Sequence, residues 1–182
     1  EAYGTIVELL RDGIRQNELC VLLSGEAHAV VKERIRSNGL DPDREPSMIL
    51  VNQSDYSMGG GGRPLLEASM RTLSRRARSL GYAGSRLILN VNEVMDAQLP
   101  TGRAWLELDE VRQELGITIV FLFDMSVLSP GFLLRALSYF PSVIISGALC
   151  RNFYYKPCAP SSDDHEGFYE RLESIMEGRA LL

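Results

Sequence analysis

The sequence predicts an α/β fold, a three-layer sandwich in which a mainly parallel sheet lies between two layers of helices. Short apolar runs alternate along the chain with longer segments whose apolar residues recur at helical spacing. The apolar runs are continuous rather than alternating, which is typical of parallel strands buried on both faces. The segments between them are long enough to form the crossover helices that parallel neighbours require.

The amino-terminal part is expected to fold as helix, strand, helix and strand. A helix precedes the first strand because Ile6, Leu10 and Ile14 recur every four residues. The second helix ends at Asn38-Gly39, since glycine readily adopts the left-handed conformation that closes a helix. The predicted elements of this part are a helix over 3–15, a strand over 19–23, a helix over 27–37 and a strand over 48–52.

The remaining part continues the alternation and then changes to a pair of strands. Gly81 and Gly116 each close a helix, and Pro130 opens one at the first-turn position that proline favours. Gly147-Ala148-Leu149 separates the last two strands, which are expected to be antiparallel to each other. The predicted elements are helices over 65–80 and 104–115, strands over 86–91 and 118–123, a helix from 130 that stops before Pro141, and strands over 142–146 and 150–155.

Composition excludes several classes of function. The net charge of −5 and the pI near 5.1 argue against a nucleic-acid-binding surface, which needs an excess of Lys and Arg. No apolar run approaches the roughly 18 to 20 residues of a membrane span. Three cysteines without a C-x-x-C spacing indicate a reducing compartment rather than a disulfide framework. We therefore expect a cytoplasmic domain without nucleic-acid or membrane contact.

The segment after the first predicted strand lacks a phosphate-binding loop. Such a loop needs several glycines, a Lys and a Ser or Thr that binds magnesium. Here the strand continues into Ser24-Gly25-Glu26, with no second glycine and no Gly-Lys-Ser/Thr. Glu26 would also place a carboxylate where a phosphate would otherwise meet the start of the next helix. The sequence thus predicts a scaffold without a functional P-loop, without a cofactor and without a metal.

Several stretches resemble a known family. Leu9–Gly25 resembles the start of a domain of the RecA-like clock ATPase KaiC. The later part is similar to the MEDS domain, the sensory domain named after methanogens, methylotrophs and the regulator DcmR, although Leu106-Glu107-Leu108 lacks the usual Tyr-Glu pair of that family. The segments that carry this second similarity are Phe123-Asp124 with Leu128–Leu137, Tyr139–Gly147 and Asn152–Pro157.

The resemblance implies a RecA/KaiC-like fold and a sensory domain over residues 1–157. MEDS domains are regarded as KaiC relatives that sense small molecules, thought to be hydrocarbon derivatives, within signalling or transcription-regulating proteins. A RecA-like ATPase ends its third core strand with an acidic residue that orients magnesium, whereas the matching strand here ends at Asn90. Glu93 is either a displaced carboxylate or a partner of a helix or solvent. A residual KaiC-type ATPase is therefore the third-ranked hypothesis.

The candidate ligand site lies where the carboxyl ends of the parallel strands meet. His28 is either a proton-transfer group or ligand contact, or an ordinary residue at the start of its helix. Asp124 either receives an amine or hydroxyl or caps a turn, and Asn152 either binds a ligand or belongs to the closing strand. The predicted ligand-binding residues are Ser24, Gly25, Glu26, His28, Asn90, Asn92, Glu93, Asp124, Ser126, Asn152 and Tyr154. None is expected to be catalytic.

Three further segments keep two interpretations each. The loop with Gly59–Gly62 is a surface connection or a lid over a ligand. Arg71, Arg75 and Arg78 form a solvated helix face or a surface for an acidic partner or a homodimer. Residues 158–182 form a linker and a helix whose apolar residues either pack on the domain or lead towards an output domain. Those apolar residues are Phe168, Leu172, Ile175 and Met176.

The sequence thus favours a ligand-sensing domain of a signalling or transcription-regulating protein. Its expected partners are a small-molecule ligand and its own output domain or a partner protein. The alternative is a protein-interaction module on the same degenerate scaffold.

Overall fold

The computed structural model describes residues 2–52, 62–91, 103–123, 137, 140–145, 148–152 and 155. The chain divides into two compact units, Glu1–Asp124 and Met125–Leu182. The linker and helix predicted over 158–182 lie outside the described residues, and so does the start of the helix predicted from Pro130. Among the helices that are described, none combines the length and the apolar character needed to cross a membrane.

The first unit alternates helices and strands in the predicted order. Each predicted helix and strand of this unit is confirmed, and glycines 39, 81 and 116 have the positive φ angles expected where a helix ends. The longest extension is at the third helix, which starts at Gly62 instead of Leu65. The elements are α1 (Ala2–Arg15), β1 (Glu18–Ser24), α2 (His28–Ser37), β2 (Met48–Asn52), α3 (Gly62–Ser79), β3 (Gly84–Val91), α4 (Arg103–Leu115) and β4 (Ile117–Phe123).

The four strands of this unit form one parallel sheet in the order β2-β1-β3-β4. Leu22 in β1 is opposite Leu50 in β2 on one side and Ile88 in β3 on the other. Leu89 in β3 is in turn opposite Phe121 in β4. The predicted α/β class and the parallel sheet are therefore confirmed, with β1 and β3 at the centre.

Helices cover both faces of the sheet. Alternate residues of each buried strand point to opposite faces, so the apolar side chains on each face pack against a separate layer of helices. Cys20 and Leu22 belong to a core with α1 and α2, whereas Val21 and Leu23 belong to a core with α3 and α4. The largest fully buried side chains include Leu10 of α1 and Met70 of α3. This arrangement has the three layers that the sequence predicts.

A buried ion-pair network joins α1 to the amino end of the sheet. The side chain of Arg86 in β3 is only 6% exposed, and its Nε donates to Glu18 Oε2 at 2.8 Å. Its Nη1 lies 2.9 Å from Asp12 Oδ2 and also donates to the carbonyl oxygen of Leu9 at 2.9 Å. Leu9 and Asp12 belong to the last two turns of α1, where a cation complements the helix dipole. Arg86 therefore fixes the end of α1 against the sheet.

A glycine permits this close approach of α1 to the sheet. A Cβ atom at position 13 would lie 2.5 Å from Cys20 Sγ and 3.1 Å from Arg86 Nε, so Gly13 leaves no room for a side chain. Cys20 is completely buried, and burial raises the pKa of its thiol to about 11. The thiol is therefore protonated at neutral pH, and Cys20 packs in the core as a small apolar side chain.

The second unit contains an antiparallel strand pair, β5 (Ser142–Ile145) and β6 (Ala148–Arg151), with Val143 opposite Cys150. The antiparallel pairing is confirmed, but the prediction of a last strand over 150–155 was wrong, because β6 starts earlier and ends at Arg151. The next residue, Asn152, is 6% exposed and lies outside β6. Its backbone N–H donates to Pro141 O at 3.0 Å, and its Nδ2 donates to Leu137 O and, at 2.7 Å, to Phe140 O.

Candidate functional site

The carboxyl ends of the four parallel strands lie side by side at one edge of the sheet. Ser24, the last residue of β1, is opposite Asn52, the last residue of β2. On the other side of β1, β3 reaches this edge with Asn90, which is opposite Leu122 of β4. The helix after β1 covers one face of the sheet and the helix after β3 covers the other. In open α/β sheets, this divergence creates a crevice outside the strand ends.

The structure describes only part of the predicted site. Ser24, Gly25, Glu26 and His28 are described in full, and Asn90 is described as part of β3 without its side chain. The loop with Gly59–Gly62 also lies outside the described residues, except that Gly62 opens α3. The predicted residues outside the described part are Asn92, Glu93, Asp124, Ser126 and Tyr154.

A short turn follows β1 and is held by the side chain of Ser24. This residue is 3% exposed, and its Oγ accepts a hydrogen bond from the backbone N–H of Glu26 at 3.2 Å. Gly25 lies exposed between them. Hydroxyl groups often close turns in this way, by binding a backbone N–H two residues further on. The turn places Glu26 directly beside the first turns of α1 and α2.

The carboxylate of Glu26 is bound at both oxygens. Arg34 of α2 donates from Nη1 to Glu26 Oε1 at 2.8 Å, and the hydroxyl of Tyr3 in α1 donates to Oε2 at 3.2 Å. The guanidinium of Arg34 also lies over the ring of Tyr3, 5.2 Å from its centroid. We call Tyr3, Ser24, Glu26 and Arg34 the Glu26 cluster.

The Glu26 cluster corrects one expectation from the sequence. Glu26 does lie between β1 and α2, but its carboxylate is not free, because Arg34 balances its charge. Repulsion by an unpaired carboxylate is therefore not what would exclude a phosphate here. The objection to phosphate binding rests instead on the absence of the glycines and the lysine that form such a loop.

Burial and the neighbouring charge of Glu26 both raise the pKa of Tyr3 above its ordinary value of 10.0. The phenol is therefore protonated at neutral pH and acts as a hydrogen-bond donor to Glu26. Sequence reasoning missed both Tyr3 and Arg34. The apolar stripe of α1 includes Tyr3, which signals a half-buried aromatic residue, but nothing local signals that its hydroxyl meets the loop after β1.

His28 is the first residue of α2, as predicted, and its side chain is exposed. Within the described part of the chain, its imidazole has no hydrogen-bond or ion-pair partner. Ala27, at the N-cap position, makes no side-chain hydrogen bond to the helix. No group of three or more His, Cys, Asp or Glu residues suited to a metal ion occurs among the described residues.

Asn152 lies in the second unit, where its amide is engaged by backbone carbonyls. These contacts give it a structural role, because they connect the residue after β6 to Leu137 and Phe140. A ligand-binding role for Asn152 stays a prediction.

The arginine face predicted on α3 is exposed. Arg71 is paired with Glu67 at 3.1 Å and with Glu114 of α4 at 3.8 Å. Arg75 and Arg78 are exposed and have no ion-pair partner among the residues that the structure describes. A partner for this face stays a prediction.

No family model matches this chain, and neither a curated protein nor a solved structure matches it. Fold and site geometry therefore define the class of protein as an open α/β domain with a parallel sheet and a candidate crevice at its carboxyl edge. A more specific assignment is a matter of proposal.

Proposed function

We propose that this chain is a ligand-sensing domain of a signalling or transcription-regulating protein, and that it binds a small molecule without catalysis. One observation carries the proposal: β1 and β3 are neighbours, so Ser24 and Asn90 lie at the carboxyl ends of adjacent strands whose following helices cover opposite faces. Ligands bind at this position in open α/β sheets. The resemblance to the MEDS family supports a sensory role within a cytoplasmic regulatory protein.

The chemistry of the described part of the site favours a ligand with little charge. The Glu26 cluster combines one carboxylate and one guanidinium, so its formal charges cancel. Its other polar groups are the buried hydroxyl of Ser24 and the half-buried phenol of Tyr3. Such a surface offers a triphosphate no excess positive charge. A small organic molecule with one or two polar atoms, including a hydrocarbon derivative, suits it better.

The scaffold itself is proposed to be RecA/KaiC-like, with the phosphate loop lost. In support, the loop after β1 is reduced to Gly25, Glu26 and Ala27 before α2 begins. The loop has no Gly-Lys-Ser/Thr, so it lacks the lysine that reaches the terminal phosphates in a P-loop.

Thermal unfolding of the full chain tests this function. Short-chain alcohols, amines and halogenated hydrocarbons are compared with magnesium-ATP as additives. A ligand at 100 times its Kd stabilises the folded state by about 2.7 kcal/mol, which raises the Tm of a chain of this size by several degrees. We expect at least one organic probe to raise the Tm and magnesium-ATP to leave it unchanged. Stabilisation by magnesium-ATP alone would instead favour a residual ATPase.

Two variants test whether the probe that raises the Tm binds at the carboxyl edge of the sheet. Asn90→Ala is expected to abolish the Tm increase caused by the active probe, because Asn90 is the next-to-last residue of β3 at the carboxyl edge. Thr118→Ala, a control near the start of β4, should preserve it. If both variants respond like the original chain, the ligand does not bind at this edge.

A protein-interaction module is the second candidate, and the exposed Arg75 and Arg78 of α3 favour it. An acidic peptide that binds the chain and loses affinity in Arg75→Gln would support docking, whereas the ligand-sensing function predicts no such dependence.

A further inference from the structure

A cleft opens at the amino ends of β3 and β4, between α3 and the end of α4. Its volume is about 250 Å³, and it is bounded at the turn before β4 by Gly116. Ser74 and Arg78 line it from α3, and Glu114 lines it from α4. The cleft lies at the end of the sheet away from Ser24 and Asn90, so it is separate from the carboxyl edge.

The floor of the cleft contains a buried hydroxyl group. Ser85 of β3 is 1% exposed, and its Oγ has no hydrogen-bond partner among the described residues. The adjacent residue, Arg86, extends towards α1. Because successive side chains of a strand point to opposite faces, Ser85 points towards α3 and α4. Buried polar groups without a partner are rare in folded proteins, so this hydroxyl is available to bind a molecule in the cleft.

The mouth of the cleft offers a cation that is free to bind an anion. Arg78 is exposed and unpaired within the described part of the chain, whereas Arg71, two turns earlier on α3, is bound by Glu67 and Glu114. A guanidinium binds a carboxylate through two parallel hydrogen bonds. Inside the cleft, Ser74 donates its hydroxyl hydrogen to Leu115 O at 3.3 Å, which leaves its oxygen as an acceptor.

We propose that this cleft is a second binding site, for a small monocarboxylate that carries a hydroxyl or amino group. Its carboxylate pairs with Arg78, and its second polar group binds Ser85. The volume accommodates several water-sized groups, which suits a molecule of a few carbon atoms and is too small for a nucleotide. Glu114 at the mouth carries a negative charge, so a single anionic group fits better than a phosphate with two charges.

Titration of the full, uniformly ¹⁵N-labelled chain tests the site, with L-lactate, glycine and inorganic phosphate as separate probes. We expect lactate or glycine to shift the amide resonances of Ser74, Ser85 and Gly116 in a saturable manner in the millimolar range. Phosphate should bind more weakly than either. Lactate and glycine distinguish a hydroxy acid from an amino acid as the preferred class.

Two variants and one control complete the test. Arg78→Gln should weaken binding of the better probe about tenfold or more, since it removes a charge-assisted hydrogen bond, and Ser85→Ala should weaken it several-fold while the chain stays folded. Arg76→Gln, on the same helix but outside the cleft, should bind like the original chain. The proposal is overturned if none of the probes gives saturable shifts at these amides, or if Arg78→Gln and Arg76→Gln bind equally well.

Discussion

The two ends of the sheet each have an arginine that joins a helix to the sheet region, but the two arginines differ in burial. At the amino end, Arg86 is 6% exposed and its partner Glu18 is 13% exposed. At the carboxyl end, the side chains of Arg34 and Glu26 are 51% and 34% exposed. The hydrogen-bond lengths are the same, 2.8 Å in both pairs.

This difference separates a structural role from a candidate functional one. Removing one partner of a buried ion pair leaves an uncompensated charge and costs about 3–5 kcal/mol. An exposed pair contributes about 0–1 kcal/mol, because water replaces either partner. The amino end therefore fixes the packing of α1, whereas breaking the exposed Arg34–Glu26 pair costs little. Among the described residues, burial of the ion pair therefore marks a contribution to stability rather than the candidate site.

The strongest test of this comparison is Arg86→Met. We expect the free energy of unfolding to fall by about 3–5 kcal/mol, since Glu18 would remain buried without its cation. Arg34→Met, the matched change at the carboxyl end, should cost less than about 1 kcal/mol. Urea denaturation followed by circular dichroism measures both. Equal losses in the two variants would remove the distinction between the two ends.

Gly13→Ala should have the next largest effect. Alanine favours a helix over glycine by about 1 kcal/mol, but the new Cβ would meet Cys20 Sγ at 2.5 Å, and such overpacking costs about 1–3 kcal/mol. We expect a net loss of stability in urea denaturation.

Gly4→Ala is the control, because a Cβ there meets only Asn38 Oδ1 at 3.7 Å. It should leave stability unchanged or increase it. Adding Cys20→Ala to Gly13→Ala should recover part of the loss. If Gly13→Ala is as stable as Gly4→Ala, the close approach of α1 is not required.

Glu26→Gln should have a larger effect on the titration of Tyr3 than on the free energy of unfolding. The negative charge of Glu26 helps to raise the pKa of Tyr3, so its removal should lower that pKa towards 10.0, while burial keeps it above this value. The ultraviolet absorbance of ionised tyrosine measures the shift, and Tyr3→Phe identifies the signal. An unchanged Tyr3 titration would show that the two groups do not interact in solution.

The smallest expected effect is that of Asp12→Asn. The hydrogen bond from Arg86 holds the pKa of the Asp12 carboxyl below its ordinary value of 3.8. Its contribution to stability is therefore complete above pH 3.8 and is lost as the pH falls through the lower, folded-state pKa.

We expect Asp12→Asn to be less stable than the original chain at pH 7 by under about 1 kcal/mol, since the carboxylate is half exposed. The difference should disappear at the acid end of a pH series of urea denaturation curves. A difference that persists at pH values where Asp12 is protonated would have another cause.

Local patterns were sufficient to predict most of the first unit. The continuous apolar run Leu19–Leu23 predicts a strand, and glycines 39, 81 and 116 predict the ends of helices. Both signals depend only on residues that are close in sequence. The placement of Ser24 and Asn90 at the same edge of the sheet also followed, because parallel strands joined by helices end at one edge.

Contacts between distant residues could not be predicted in this way. Tyr3 and Glu26 are 23 residues apart, and their hydrogen bond depends on how α1 packs beside the turn after β1. The end of β6 was misplaced for the same reason, because the amide of Asn152 binds the carbonyls of Leu137 and Phe140, 15 and 12 residues earlier. The spacing of apolar residues along the sequence does not indicate such contacts.

The central position of β1 has a consequence for how the chain acquires its structure during synthesis. Both neighbours of β1 come later in the chain, and its ion pair with Arg86 joins residues 68 positions apart. Parallel pairing over such separations is slow, because a long loop must close before any contact forms. Until β3 has left the ribosome, β1 exposes its apolar side chains and one or both hydrogen-bonding edges. The nascent chain is therefore most prone to aggregation during this interval.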